Sequence, residues 1–385
     1  MKSLFSIIFV SFISLASTFY SVRCNAVDLY SSFGTDADTF GDGVQEFADQ
    51  LEAISRFHVR IKSPDDIGVD QTGLLLKVAD GSINMAIVGI AYQDRGNVDL
   101  NLEVDLYSES FPFGLQMEEY LSWHYNGGGL SILEDILKDD GDGVVVFPVI
   151  ASTGQSAGMF KGAVTQSRLQ SGPVGLKMRS FGFGQEVLRK AYPNMQFIQA
   201  TPGATAGIID GFTQDLEGAE FLSPQIDNKS FFVDPDPTVQ DLGVTHYYIS
   251  AWQSPVTLQY LIINKKVFSR YSEKRQNLIK AAALASTQKS YARLLVRQGE
   301  ALKEIENLGI KIGEFSDDIL NDLLIATEAV LNEKSSLNSR FNEVLSSMKE
   351  YVRKQQSWLN DGHIDRDFRF AIWGPDWKSN IIVDE

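Results

Sequence analysis

Residues 174–188, VGLKMRSFGFGQEVL, carry the group best suited to grip an anion. A short apolar run delivers Arg179 to a Ser-Phe-Gly-Phe-Gly turn, and a helical pattern through Glu186, Val187 and Arg189 begins directly behind it. A planar guanidinium fixed between a strand end and a helix start can take a carboxylate with two parallel charge-assisted hydrogen bonds. A small organic acid is therefore the expected ligand. The competing role for a strand-end arginine is a surface salt bridge, so the rest of the chain has to decide.

Little of it suggests a reaction. His58, His124, His246 and His363 are scattered, with no second metal ligand at a helical spacing. No serine sits in a nucleophile elbow, and the pairs Asp139-Asp140 and Asp317-Asp318 read as solvated helix-end charges. Residues 180–184 contain a G-x-G, but Val187 stands where the third glycine of a dinucleotide fingerprint belongs. Residues 138–143, KDDGDG, lack the acid spacing and closing glutamate of a calcium loop. A binding protein, not an enzyme, is the expectation.

The 385 residues, 44% of them hydrophobic, suffice for a large core and two lobes. Residues 1–26 read as a cleaved secretory signal, with a basic start, an apolar middle and a small-residue exit at Ala26. Cleavage there removes Cys24, the single cysteine, so no disulfide or thiolate metal site is expected. It also removes Lys2 and Arg23, leaving 34 − 2 = 32 basic against 50 acidic residues, a net charge of −18. Nucleic acid is excluded as a partner for such a surface. An acid ligand needs local positive charge, which Arg179 and Lys177 would supply.

To hold that arginine, the chain needs strands with helices between them. Residues 27–33, 57–61 and 85–90 read as strands and alternate with helical patterns at 44–54 and 74–78, the signature of an α/β lobe with a mainly parallel sheet. Loops after such strands, around Ser31-Ser32-Phe33 and Ala91-Tyr92, are favoured places for ligands. Helices at 117–125 and from Leu130, a buried strand at 144–150 and a small-residue loop at 152–160 carrying Gln155 follow. A second lobe is read from strands at 174–179 and 196–199, and a strongly apolar strand at 258–264 comes next. From Tyr271 onward the patterns are helical, with one stripe through Leu337, Phe341, Val344, Leu345, Met348 and Val352.

Three segments together resemble the periplasmic solute-binding proteins of TRAP (tripartite ATP-independent periplasmic) transporters, in the branch that binds 2-oxo acids such as pyruvate. They are PFGLQMEEYLSWHYNGGG (112–129), the Gln155 loop leading to GLKMR (175–179), and GAEFLSP (218–224) followed by AWQSP (251–255). The resemblance implies a two-lobed periplasmic binding protein fold of the α/β class, hinge-linked with mixed sheets and long C-terminal helices. It implies a signal peptide at 1–26, lobe I at 27–150 with a return segment near 228–260, and lobe II at 151–227 with part of 261–312. Helices at 313–360 would pack on both lobes, followed by a tail at 361–385.

It implies that Arg179 pairs with the ligand carboxylate, that Gln155 faces both ligand and cation, and that Phe181, Phe221 and Trp252 shape the pocket. Na⁺ or Ca²⁺ bridging the ligand would be held by Gln155, by the backbone carbonyl of Phe221, which stands in place of a tryptophan, and by Glu220 or Ser254. Ser254 departs from the pattern, because the branch has a glutamate there; a neutral hydroxyl is a weaker partner for a hard cation. The implied function is capture of a small organic acid in the periplasm for integral membrane subunits. A homodimer through the C-terminal helix is a further implication. The alternatives are a sensory binding protein for a carboxylate and, further off, a secreted enzyme on small carbonyl acids.

Overall fold

The computed structural model describes residues 25–34, 40–55, 57–95, 98–138, 143–170, 176–180, 182–198, 217–221, 241–362 and 382–383. The first lobe begins with β1 (Asn25–Ser31), α1 (Gly41–Ile54), β2 (Phe57–Lys62), α2 (Leu74–Ala79) and β3 (Met85–Val88). Helices α3 (Val98–Glu103), α4 (Leu106–Glu109), α5 (Met117–Asn126) and α6 (Gly129–Leu137) lead to β4 (Val144–Ser152). The second lobe takes β5 (Ser156–Phe160), α7 (Gln166–Gln170), β6 (Lys177–Arg179), α8 (Gly182–Ala191), β7 (Gln196–Ile198), β8 (Gly218–Phe221) and β9 (His246–Tyr248). Then come β10 (Thr257–Asn264), α9 (Lys265–Arg270), α10 (Glu273–Asn307), β11 (Lys311–Glu314), α11 (Asp317–Leu337), α12 (Ser339–Asp361) and β12 (Ile382–Val383).

Both sheets are mixed, as expected. The first has the order β2-β1-β3-β10-β4 and the second β12-β11-β9-β5-β8-β6-β7. In the first, β1 is parallel to β2 and β3 because helices connect them, while β10 lies antiparallel between β3 and β4. Helix α1 forms because Val44, Phe47, Ala48 and Leu51 recur on one face and bury it. Gly43 lets α1 approach β4 closely: a Cβ there would stand 2.7 Å from the Ile150 side chain.

The division between lobes differs from the expected one. Residues 246–248 stay in the second sheet, and the return to the first begins only at Thr257. Of residues 261–312, expected to belong in part to the second lobe, 261–264 and the start of α10 join the first-lobe core through Ile263, Ile279, Ala282 and Ala283, while Ala301, Ile305 and Ile310 join a second-lobe cluster. Ser156–Phe160, expected within a loop, is a strand buried on both faces, so it lacks the alternation that announces a half-exposed strand. Lys311–Glu314 interrupts the helical C-terminal part with a short strand beside β9. Strand β1 opens at Asn25, and Asn25 and Ala26 pair with Phe57 and His58, so the expected cleavage point falls inside the strand. Residues 1–24 and 139–142 lie outside the described residues.

Two short segments without helix cross between the sheets, 153–155 from β4 to β5 and 249–256 from β9 to β10, and the Gln155 N–H donates to the Ser254 carbonyl at 2.9 Å to tie them together. Helix α10 spans both lobes behind this junction: Ala282 and Ala283 pack in the first core, Ala301 and Ile305 in a second-lobe cluster with Met159 and Tyr247. Its Ser290 hydroxyl accepts the Ala151 N–H and its Thr287 hydroxyl donates to the Pro148 carbonyl, both at 2.9 Å. Helix α11 buries Ile319, Leu323, Ala326 and Val330 in the second lobe, and α12 buries Phe341, Val344, Leu345 and Met348 in the first. The apolar stripe that the resemblance offers to a second subunit is thus largely covered within one chain.

His124 is a core residue. It is ringed edge-on by Tyr107, Tyr120 and Trp123 and bonded to the Tyr120 carbonyl at 2.8 Å and the Tyr260 hydroxyl at 2.7 Å. Burial holds its pKa down to about 4 from the ordinary 6.5. The folded imidazole stays neutral where the unfolded one takes a proton, so its contribution is complete above pH 6.5 and is lost as pH falls toward 4. That depression corresponds to about 3 kcal/mol. Urea unfolding at pH 7.5 and 4.5 should give a smaller loss for His124→Phe than for the wild type; equal losses would place the acid sensitivity elsewhere.

Candidate functional site

The strand register gathers three of the expected residues on one edge of the second sheet. Arg179 ends β6 and pairs with Ala219 of the parallel β8; Phe221 ends β8 and pairs with Ser156, the first residue of β5. Gln155 stands immediately before that residue, in a crossover. Parallel strand ends thus converge with the hinge, the place in an α/β sheet where ligands bind. In the first sheet the ends of β1 and β3 and the start of β10 lie on one side, because β1 runs parallel and β10 antiparallel to β3.

Arg179 is only 2% exposed. Burying a guanidinium is costly unless hydrogen bonds and opposite charge meet it, and at this burial Arg179 is not a surface ion-pair partner. Lys177 opens the same strand, at the end away from the cleft, where its backbone is paired with Glu217.

Gln155 is the hub. Its Nε2 donates to Glu109 Oε1 and to the Thr257 hydroxyl, each at 3.2 Å, while its buried Oε1 has no hydrogen-bond partner. Glu109 in turn accepts from the Tyr92 hydroxyl. This carboxylate, at the end of α4, is a candidate that the sequence does not announce. It stands three residues before the distinctive PFG segment, and a lone acid gives no spacing to detect. The loop behind it is strained: Ser110 and Phe113, both at φ 60°, are the only non-glycine residues with positive φ among the described residues. Such strain concentrates at functional sites.

Trp252 is packed among Phe160, Met178, Leu188 and Phe315 of the second-lobe core. Its carbonyl accepts the Phe113 N–H at 2.8 Å, and the two rings lie 6.2 Å apart. Ser254 is buried, and its hydroxyl donates to the Val256 carbonyl at 3.0 Å. Phe181 lies outside the described residues, and for Glu220 and Phe221 only the backbone of β8 is described. No cluster of three or more His, Cys, Asp and Glu occurs among the described residues, and none of the described helices is long and apolar enough to cross a membrane.

No protein-family model matches the chain. A curated relative, the monocarboxylate 2-oxoacid-binding periplasmic protein of Nostoc sp., is 24% identical over 253 residues, which are 66% of this chain and 65% of the relative. The match thus spans just under two thirds of that relative's length. Among solved structures, a TRAP periplasmic solute binding protein from Colwellia psychrerythraea with bound calcium and pyruvate aligns with a TM-score of 0.74 at 20% identity, over 91% of this chain and 100% of that one. Another, from Pseudoalteromonas atlantica with bound sodium and pyruvate, gives 0.72 at 21% identity over 91% and 98%. A TRAP transporter solute binding protein from Bordetella bronchiseptica, a mixed occupancy dimer with copurified calcium and picolinate, gives 0.74 at 19% over 91% and 98%. The chain has the fold of these proteins.

Proposed function

We propose that this chain is an extracytoplasmic solute-binding subunit that captures a small organic monocarboxylate of the 2-oxo acid type and delivers it, in the periplasm, to the integral membrane subunits of a TRAP transporter. The observation that carries this reading is the buried guanidinium of Arg179 on the cleft edge of the second sheet, two strands from Gln155 at the hinge. Arg179 grips the carboxylate; the ligand favours the arrangement in which both lobes contact it, and closure is the resulting population shift. The names of the relative and of the structural neighbours support the ligand class.

Na⁺ or Ca²⁺ fits this site, with one change in its ligands. Hard cations favour oxygen donors that include carboxylates. Gln155 Oε1 is buried and without a hydrogen-bond partner, Glu109 supplies a carboxylate beside the same amide, and the Phe221 carbonyl ends the adjacent strand. Ser254 fits poorly, because its hydroxyl is turned onto the Val256 carbonyl. When bound, the ion would offset the charge of Glu109 and polarise the ligand's oxygens.

The test is a thermal-shift screen of the mature protein against 2-oxo, 2-hydroxy and simple carboxylic acids, each with and without Na⁺ or Ca²⁺. A ligand bound only by the folded state at 100 times its Kd adds about 2.7 kcal/mol, which is several degrees for a protein of this size. Stabilisation by one class of acid is expected; no response to any acid would sink the reading.

A further inference from the structure

Away from the ligand cleft, one ammonium touches both lobes. Lys334 lies near the end of α11, the helix that leaves the second lobe, and its side chain is only 12% exposed. Its Nζ donates to Asp105 Oδ2 at 2.9 Å and to Glu186 Oε1 at 3.0 Å. Asp105 belongs to the first lobe, directly before α4; Glu186 belongs to the second, on α8. The Phe183 ring sits 5.1 Å from the same ammonium and packs against the cores of both lobes.

The two carboxylates come from the elements that carry the site. Asp105 precedes the helix that ends in Glu109, and its side chain makes no cap hydrogen bond to that helix, leaving it to Lys334. Glu186 follows Arg179 by seven residues, on the helix that begins just past it. Two acids converging on one point repel each other unless a cation lies between them. Burial raises the pKa of Asp105 more than Lys334 lowers it, whereas for Lys334 the pull of Asp105 and Glu186 outweighs burial and raises its own. The triad is held together by the lysine.

We propose that Lys334 is a positioning residue that latches the lobes: it joins α4 to α8 and thereby favours the closed arrangement in which Glu109 and Arg179 share one cleft. Separating the lobes leaves the ammonium with one carboxylate and uncovers Phe183. Glu186 is half exposed, at 49%, so solvent screens its share and Asp105, at 27%, holds the stronger end.

The test uses the full mature chain without ligand, so it does not depend on the ligand class proposed above. Spin labels at two exposed sites, Asp65 on the first lobe and Gln196 on the second, report the distance between lobes by pulsed electron paramagnetic resonance. Lys334→Met and Asp105→Asn should each move population toward longer distances, by on the order of tenfold in the closed-to-open ratio, and Lys334→Arg should restore the wild-type distribution. Asp105→Asn keeps the test intact should Lys334→Met fail to fold. Variants that unfold at lower temperature yet keep the wild-type distance distribution would overturn the latch and leave Lys334 a merely structural residue.

Discussion

Arg179→Ala should abolish binding of the acid that the screen identifies while the protein still folds. Each charge-assisted hydrogen bond from a guanidinium to a carboxylate is worth about 1.5–3 kcal/mol. Two of them make a loss of roughly 10²–10⁴-fold in affinity, measured by calorimetry. Truncating a buried guanidinium also orphans the groups that met it, so the folding of the variant is checked by circular dichroism before titration. Arg179→Lys separates fork from charge: it keeps a cation in the cleft but cannot grip both oxygens in one plane, so affinity should stay at least tenfold below the wild type. Unchanged affinity in Arg179→Ala would remove the residue from the site.

That prediction rests on a residue legible in the sequence. The apolar run, the glycine turn and the helix start around Arg179 are local signals, and β6 and α8 form where they indicate. The strand-helix alternation of the first lobe was equally local, and so were the apolar stripes of α11 and α12. What escaped was set by partners far along the chain. β5 lies between β8 and β9 in the sheet, and its side chains are buried in two clusters, Ala157 and Phe160 with residues of α8 and α11 and Met159 with Ala301 and Ile305 of α10, so nothing in its own five residues marks a buried face. β11 is four residues long and exists because β9 is beside it. Trp252 reads as a pocket aromatic but belongs to the second-lobe core, since the crossover that carries it turns inward.

Ser254 and Glu109 make the same point about the site. The loss of a carboxylate at position 254 was visible; a carboxylate beside the hinge amide was not, because Glu109 and Gln155 are 46 residues apart and meet only through the fold.

Glu109 carries the second large effect. A negative side chain beside a carboxylate ligand is unfavourable: two unit charges a few ångströms apart repel by on the order of 3–4 kcal/mol at an effective dielectric of about 20. A cation held between them converts that repulsion into attraction, so binding of a 2-oxo acid such as pyruvate by the wild type should tighten about 100-fold when Ca²⁺ or Na⁺ is added to metal-free protein. Glu109→Gln keeps the size of the side chain and its bonds to Tyr92 and Gln155 while removing the charge. The variant should bind the acid without added cation at least as well as the metal-free wild type, and added cation should change its affinity by less than about threefold. Calorimetric titrations of both proteins, with and without chelator, decide it. Cation dependence that survives in Glu109→Gln would return the ion to other oxygens. A wild type indifferent to cations that prefers alanine to pyruvate would instead assign Glu109 to a ligand ammonium, since a substrate that brings its own positive charge needs no metal to sit between Glu109 and Arg179.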